Sequence, residues 1–123
     1  MSVTSPLLTA LTPMLETPDL PGTRDFYTGV LGFTCTADTP EWLCLTLGPA
    51  ELMFSGLNEH RGFTAPVFSG SLYFRTSDVD NLWVSLRDRV TVCYPIETFD
   101  YGMREFAIYD NNGYLLQFGQ ETE

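Results

Sequence analysis

Hydrophobic positions follow the same succession of patterns in both halves of the chain. In the first half, residues 10–17 alternate as a strand does, with Thr12, Met14 and Glu16 on one face. A stripe of apolar residues at helical spacing follows and ends at Gly32, which is typical of a left-handed helix cap. Three short apolar runs then predict strands at residues 33–36, 42–47 and 51–54.

The second half repeats this order. Residues 71–76 alternate, with Ser71, Tyr73 and Arg75 on one face. Asp78 is a capping residue before apolar positions at helical spacing, which predicts a second helix. The rest is predicted as a strand at residues 90–94, a loop at 95–102, and a hairpin of residues 103–110 and 114–118 around an Asn-Gly turn.

The two halves form an internal repeat. The helix starts at Asp19 and Asp78 are 59 residues apart, and the same shift pairs Thr12 with Ser71. This predicts an α+β fold of two βαβββ modules within one domain, residues 1–123, with modules at 10–57 and 70–120 and a linker at 58–69. Each helix covers one face of its sheet, so the open face needs a second module or a ligand to cover it. We therefore expect the ligand site on that open face.

Composition and charge exclude some classes of binding partner. The chain has 16 acidic and 6 basic residues, a net charge of −10, and all its basic residues are arginine. This charge argues against nucleic acid and anionic membranes as partners; it either favours a cationic ligand or serves solubility. No apolar run reaches the length of a membrane helix, and no basic residue precedes Arg24, so we expect a cytoplasmic protein. The three cysteines form no Cys-x-x-Cys pair.

Three segments carry a family resemblance: Phe26-Tyr27-x-x-Val30-Leu31-Gly32-Phe33, Asp78-Val79-Asp80, and Arg104-Glu105-Phe106-x-x-x-Asp110-x-x-Gly113. They are similar to segments of the vicinal oxygen chelate superfamily, which includes glyoxalases, extradiol dioxygenases and bleomycin resistance proteins. The similarity extends from about Leu11 to Gln120 and is closest to the small bleomycin-resistance-like binding proteins. It implies two βαβββ modules per chain and a homodimer whose clefts are built from paired modules.

The resemblance also locates the positions where enzymes of the superfamily hold a divalent metal with His and Glu side chains. These positions fall on Thr12, Ser71 and Gln117, with the fourth on Met53 or Glu51. A hydroxyl, an amide or a thioether does not replace carboxylates and imidazoles around such a cation. We therefore predict that the protein holds no metal and no other cofactor.

No residue pattern indicates a nucleophile or a catalytic base. The single histidine, His60, lies in the linker and is interpreted as a surface residue, and no cysteine or serine is patterned with an imidazole. Arg104 either binds an anionic group or braces the loop at Asp100, and Glu16 and Arg75 are opposite in charge and either pair or face the ligand. The remaining candidates are polar or aromatic side chains of the predicted cleft. The full set of predicted ligand-binding residues is Thr12, Met14, Glu16, Trp42, Phe54, Phe63, Ser71, Tyr73, Arg75, Phe99, Tyr101, Arg104 and Gln117.

Aromatic faces and carboxylates in one cleft suit a planar or cationic organic molecule. The sequence therefore predicts a homodimer that sequesters a small natural product, such as an antibiotic of the bleomycin type, without a chemical step. Two other functions stay open. One is a metal-dependent lyase, isomerase or dioxygenase of the same fold, and the other is a ligand-sensing module. Four aromatic residues are assigned to the core instead: Phe26, Phe74, Trp83 and Phe106.

Overall fold

The computed structural model describes residue 7 and residues 9–57 and 65–123. In these residues the first half contains β1 (Met14–Glu16), α1 (Leu20–Asp25) continued by a π-helical turn (Phe26–Val30), β2 (Thr34–Thr39), β3 (Trp42–Leu47) and β4 (Ala50–Ser55). The second half contains β5 (Leu72–Arg75), α2 (Val79–Leu86), β6 (Thr91–Thr98), β7 (Met103–Tyr109) and β8 (Leu115–Glu121). The predicted α+β order of strand, helix and three strands, twice over, is confirmed.

Each module forms its own four-stranded sheet. The strand orders are β1-β4-β3-β2 and β5-β8-β7-β6, and in both sheets the first strand pairs in parallel with the last. Met14 lies opposite Met53 in the first sheet, and Tyr73 lies opposite Gln117 in the second. Because Tyr73 follows Met14 by the predicted shift of 59, the register makes Met53 the counterpart of Gln117. The module limits at 10–57 and 70–120 stay a prediction.

Most element boundaries differ from the predicted ones by a few residues, and three differences affect the argument. Residues 95–102 were expected to form a loop, but β6 continues through Pro95 to Thr98 with an irregular register between Tyr94 and Glu97. Proline lacks a backbone donor, and a register irregularity is where a strand tolerates that loss. The first helix changes to π-helical bonding at Phe26 and ends at Val30, two residues before Gly32, whose φ is +85°. Strand β1 begins at Met14, so Thr12 precedes it.

One core joins the two modules. Its members come from both sheets and include Leu15, Phe54, Phe106 and Leu116, all buried. The four aromatic residues assigned to this core by sequence lie in it or against it; Trp83, for example, packs on Phe106 at a ring distance of 5.1 Å. The helices and this core occupy one face of each sheet, so the alternate side chains form the open faces.

Buried hydrogen bonds also cross between the modules. The hydroxyl of Tyr27, from the first module, donates to Asp110 Oδ2 in the second at 2.7 Å, and both side chains are buried. Thr17 donates to the Asn112 side chain at 2.7 Å, close to the same turn. No helix in residues 9–57 or 65–123 has the length and hydrophobicity needed to cross a bilayer.

Candidate ligand site on the open face of the second sheet

A row of four side chains crosses the open face of the second sheet. Strand register places Tyr73 beside Gln117, Gln117 beside Ala107, and Ala107 beside Tyr94. Because Ala107 is small, the Gln117 amide reaches past it, and its Nε2 donates to the Tyr94 hydroxyl at 2.7 Å. Ser71 donates its hydroxyl hydrogen to the Gln117 carbonyl. The amide of Gln117 is therefore held at both ends.

Glu105 lies in the next row, flanked on the adjoining strands by Gly119 and Glu97. Its neighbour Phe106 points into the core, so alternation directs the Glu105 side chain to the open face. The residue is only 1% exposed, and its Oε2 atom has no hydrogen-bond partner within the described part of the chain. A buried carboxylate with an unfilled acceptor is costly, which makes this the least satisfied group of the face.

Two tyrosines cover this carboxylate. A Cβ atom at position 119 would lie 2.0 Å from the Tyr73 hydroxyl oxygen, so the glycine provides the space through which Tyr73 crosses β8 towards Glu105. Burial and the interaction with Glu105 raise the pKa of Tyr73 to about 12. Burial also raises the pKa of Tyr94; the hydrogen bond with Gln117 opposes this rise, and the charge of Glu105 adds to it. Both hydroxyls therefore stay protonated at neutral pH.

Three aromatic rings stand at the β6 end of the same face. Phe99 and Tyr101 stack at 5.3 Å with an interplanar angle of 10°, and Tyr94 meets Phe99 edge-on at 5.8 Å. Tyr94, Phe99 and Tyr101 line a cavity of about 360 Å³ together with Pro95 and Glu97. Tyr101 is 61% exposed and offers a flat ring to a ligand. We call these three rings the aromatic platform.

A second cavity, of about 500 Å³, lies along β5, an edge strand of the second sheet. Its walls are mostly apolar and come from both modules; they include Phe33, Leu47 and Phe118. Tyr73 lines this cavity as well, so the ring that covers Glu105 also faces apolar space at the junction of the modules.

The structure gathers part of the predicted site on this sheet. Ser71, Tyr73, Phe99, Tyr101 and Gln117 lie on the open face or at its end. The guanidinium of Arg75 lies 5.9 Å from the centre of the Tyr73 ring, which makes it a neighbour of the same group. Thr12, Met14, Glu16 and Trp42 lie on or beside the first sheet instead.

Two predicted residues are wrong and one is outside the described residues. Phe54 is fully buried in the core against Tyr27, because its position on β4 faces the helix side of the sheet. Arg104 also faces that side; it pairs with Asp80 at 2.9 Å and donates to the Thr98 hydroxyl, so it braces α2 against β6. Phe63, like His60, falls in the part of the linker that the structure does not describe.

Sequence reasoning missed three members of the site: Tyr94, Glu105 and Gly119. Glu105 was identified only as part of the family motif. Strand alternation from the core residue Phe106 was the signal that could have placed Glu105 on the open face. Tyr94 was placed in a strand that was predicted to end there. The role of Gly119 depends on the path of the Tyr73 side chain across β8, which no sequence pattern reveals.

A sequence profile of the Glyoxalase/Bleomycin resistance protein/Dioxygenase superfamily matches residues 11–118, almost the whole length of the two modules. The chain belongs to this superfamily. No curated protein matches it in sequence.

Solved structures share the superfamily fold at low sequence identity. A protein of unknown function from Agrobacterium tumefaciens superposes with a TM-score of 0.78 at 20% identity, over 93% of this chain and 94% of that one. TioX from a Micromonospora species has a TM-score of 0.76 at 19% identity, over 92% and 98%. A glyoxalase/bleomycin resistance protein/dioxygenase from Alicyclobacillus acidocaldarius has 0.76 at 17% identity, over 94% and 92%. At these identities the similarity shows a common fold alone.

The residues that the resemblance places at the superfamily's metal positions do not suit a divalent cation. In the second sheet, Ser71 and Gln117 bond to each other and Gln117 also to Tyr94, so their polar atoms are already engaged. In the first, Thr12 bonds to Glu51, and Met53 takes the position equivalent to Gln117. Within residues 9–57 and 65–123, no group of three His, Cys, Asp or Glu side chains lies close enough together to hold a metal ion. Hydroxyl, amide and thioether groups are poor ligands for such ions.

Proposed function

We propose that this protein binds a small organic molecule on the open face of its second sheet and acts by sequestration, without a chemical step. The ligand class we propose is a planar or cationic natural product, such as an antibiotic of the bleomycin type. The observation that carries the proposal is the lining of this face. A hydrogen-bonded amide, Gln117, stands at a position that the resemblance assigns to a metal ligand, and stacked aromatic rings stand at the β6 end of the same face.

The stacked pair of Phe99 and Tyr101 supports a flat ligand. Aromatic rings bind planar molecules by offset stacking and attract cations at their faces. The cavity beside the pair, about 360 Å³, is within the usual size range of small-molecule sites. The net charge of −10 raises the local concentration of cations and favours such ligands over anionic ones.

We also propose that the site is completed by a second copy of the chain. Large side chains lie partly exposed on the open faces of both sheets: Met14 is 52% exposed and Tyr73 39%. A homodimer that pairs the open faces would bury both. Light scattering after size-exclusion chromatography measures this, and a mass of one chain at micromolar concentration would contradict the dimer.

Thermal-shift screening against glycopeptide and quinone antibiotics tests the ligand proposal. A ligand of the native state raises the unfolding midpoint in a concentration-dependent way. Tyr101→Ala should weaken binding by roughly tenfold, since a stacked aromatic contact contributes about 1 kcal/mol or more. Val84→Ala is the matched control, because Val84 is 57% exposed on α2, on the opposite side of the sheet. Equal effects of the two variants would contradict the site.

Metal analysis of the purified protein separates this proposal from the alternative of a metal-dependent enzyme. Zinc, nickel, manganese or iron at about one per chain would favour the enzyme and contradict sequestration. A sensing module would bind ligand in the same way but would give an expressing cell no tolerance of the drug. Growth tests with the native protein and Tyr101→Ala distinguish that role.

A further inference from the structure

We infer that Glu105 recognises a protonated nitrogen of the ligand, so that the ligand class is narrowed to aromatic molecules bearing an ammonium, amidinium or guanidinium group. This inference rests on the proposed function, because it uses the same open face. It adds to the proposed function the protein group that selects the ligand, the Glu105 carboxylate, and the ligand group that is recognised, a protonated nitrogen.

The first support is the state of the Glu105 carboxylate. The residue is 1% exposed, yet Oε2 has no hydrogen-bond donor among the described residues. Buried polar groups almost always have a hydrogen-bond partner, so an exception calls for an explanation, and binding of a ligand is one. An oxygen of a carboxylate accepts only, so what it lacks is a donor, and a cationic donor suits it best.

The second support is that the two described arginines nearest to Glu105 along the sheet, Arg75 and Arg104, are engaged elsewhere. Arg75 is directly opposite Gly119 on β5, and Gly119 is directly opposite Glu105, so Arg75 lies in the same row. Its guanidinium nevertheless lies over the Tyr73 ring, 5.9 Å from the ring centre, and donates no hydrogen bond to Glu105 Oε2. Arg104, which precedes Glu105 on β7, points to the other face of the sheet and forms an ion pair with Asp80.

The third support is the arrangement of the groups around the carboxylate. Tyr73 reaches it from one side through the gap at Gly119, and Tyr94 approaches it from the other. Tyr94 is also the inner ring of the aromatic platform, in edge contact with Phe99. A ligand whose flat part lies on Tyr101 can therefore direct a short cationic arm past Tyr94 to Glu105. Because Glu105 is 1% exposed, the Tyr73 side chain, which is 39% exposed, has to shift when the arm enters.

The inference predicts a preference that two small probes measure. The probes are 2-naphthylmethylamine, which is charged at neutral pH, and 2-naphthylmethanol, its neutral counterpart of the same shape. Titration followed by ¹H–¹⁵N correlation spectra reports weak binding and its location. The native protein should bind the amine more tightly by about tenfold or more, the usual contribution of a hydrogen bond to a charged partner.

Glu105→Gln keeps the shape of the side chain and should reduce the preference for the amine to within about twofold. Asp88→Asn is the control, since it removes the same charge from an exposed side chain beyond α2 and should leave the preference intact. If the preference survives in Glu105→Gln, or is lost equally in Asp88→Asn, the inference is overturned while binding on the open face stands. If neither probe binds the native protein, both the inference and the proposed function of this face fail.

A second measurement uses the native protein alone and does not depend on the folding of the variant. The ¹³Cδ resonance of Glu105 should move on addition of the amine and stay in place on addition of the alcohol. Movement of the Glu97 resonance without that of Glu105 would place the cation at the wrong carboxylate and overturn the inference.

Discussion

The hydrogen bond between Tyr27 and Asp110 should hold the two modules together, and Tyr27→Phe tests it. Tyr27 is fully buried, and its hydroxyl donates to Asp110 Oδ2 at 2.7 Å. Burial and the neighbouring charge of Asp110 raise the pKa of Tyr27 well above its ordinary value, so the hydroxyl remains a donor. Phenylalanine keeps the ring contacts with Phe33 and Phe54, so the change removes the hydrogen bond and little else.

The expected loss follows from what remains around the carboxylate. Asp110 Oδ1 keeps the backbone donors of Asn112 and Tyr114, at 2.8 and 2.9 Å, whereas Oδ2 loses the Tyr27 donor. A buried hydrogen bond to a charged group contributes about 1.5 to 3 kcal/mol. We therefore expect the free energy of unfolding to fall by about 2 kcal/mol, which lowers the midpoint in urea by about 1 M.

Urea unfolding at neutral pH, followed by far-ultraviolet circular dichroism, is the assay. Tyr101→Phe is the control, because it removes a hydroxyl from a side chain that is 61% exposed and should change stability by less than about 0.5 kcal/mol. The loss in Tyr27→Phe should shrink in acid, where Asp110 is protonated and the hydrogen bond is no longer to a charge. Equal stability of the two variants would refute a cross-module role for this contact.

Three further changes test the site and the core. Gly119→Ala places a Cβ 2.0 Å from the Tyr73 hydroxyl oxygen, so Tyr73 should move away from the Glu105 carboxylate and the pKa of Tyr73 should fall from about 12 towards its ordinary value. NMR titration of ¹³Cζ-labelled tyrosine measures this pKa. Gly29→Ala is the control, because a Cβ at position 29 meets nothing within 4 Å. Phe54→Leu should cost about 1 to 2 kcal/mol in urea unfolding and leave ligand affinity unchanged, and a selective loss of affinity would return Phe54 to the site. Burial raises the pKa of Asp110 above its ordinary value, so ionisation opposes folding and stability is lost as pH rises through the folded pKa. Relative to Asp110→Asn, the native protein should be more stable at about pH 3 than at about pH 6, and a constant difference would contradict the shift.

The sequence by itself determined the fold and its repeat. Alternation and helical spacing are local properties, and they recur in both halves with a shift that the strand registers at Met14 and Tyr73 reproduce. The assignment of four aromatic residues to the core also held, because a stripe at helical spacing or an inward strand position is decided by its near neighbours. The family followed from the same local segments and is confirmed over residues 11–118.

Tertiary structure alone decided which side chains meet. Phe54 and Arg104 were predicted in the site from their residue type and strand, but the direction of each side chain on its strand turned it to the covered face. The Glu105 carboxylate is buried by contacts with residues of β5 and β6, which are distant in sequence, and by Tyr73 in the gap at Gly119. Alternation indicates the face of a residue, but the burial of a charge and the absence of its partner are properties of the assembled sheet.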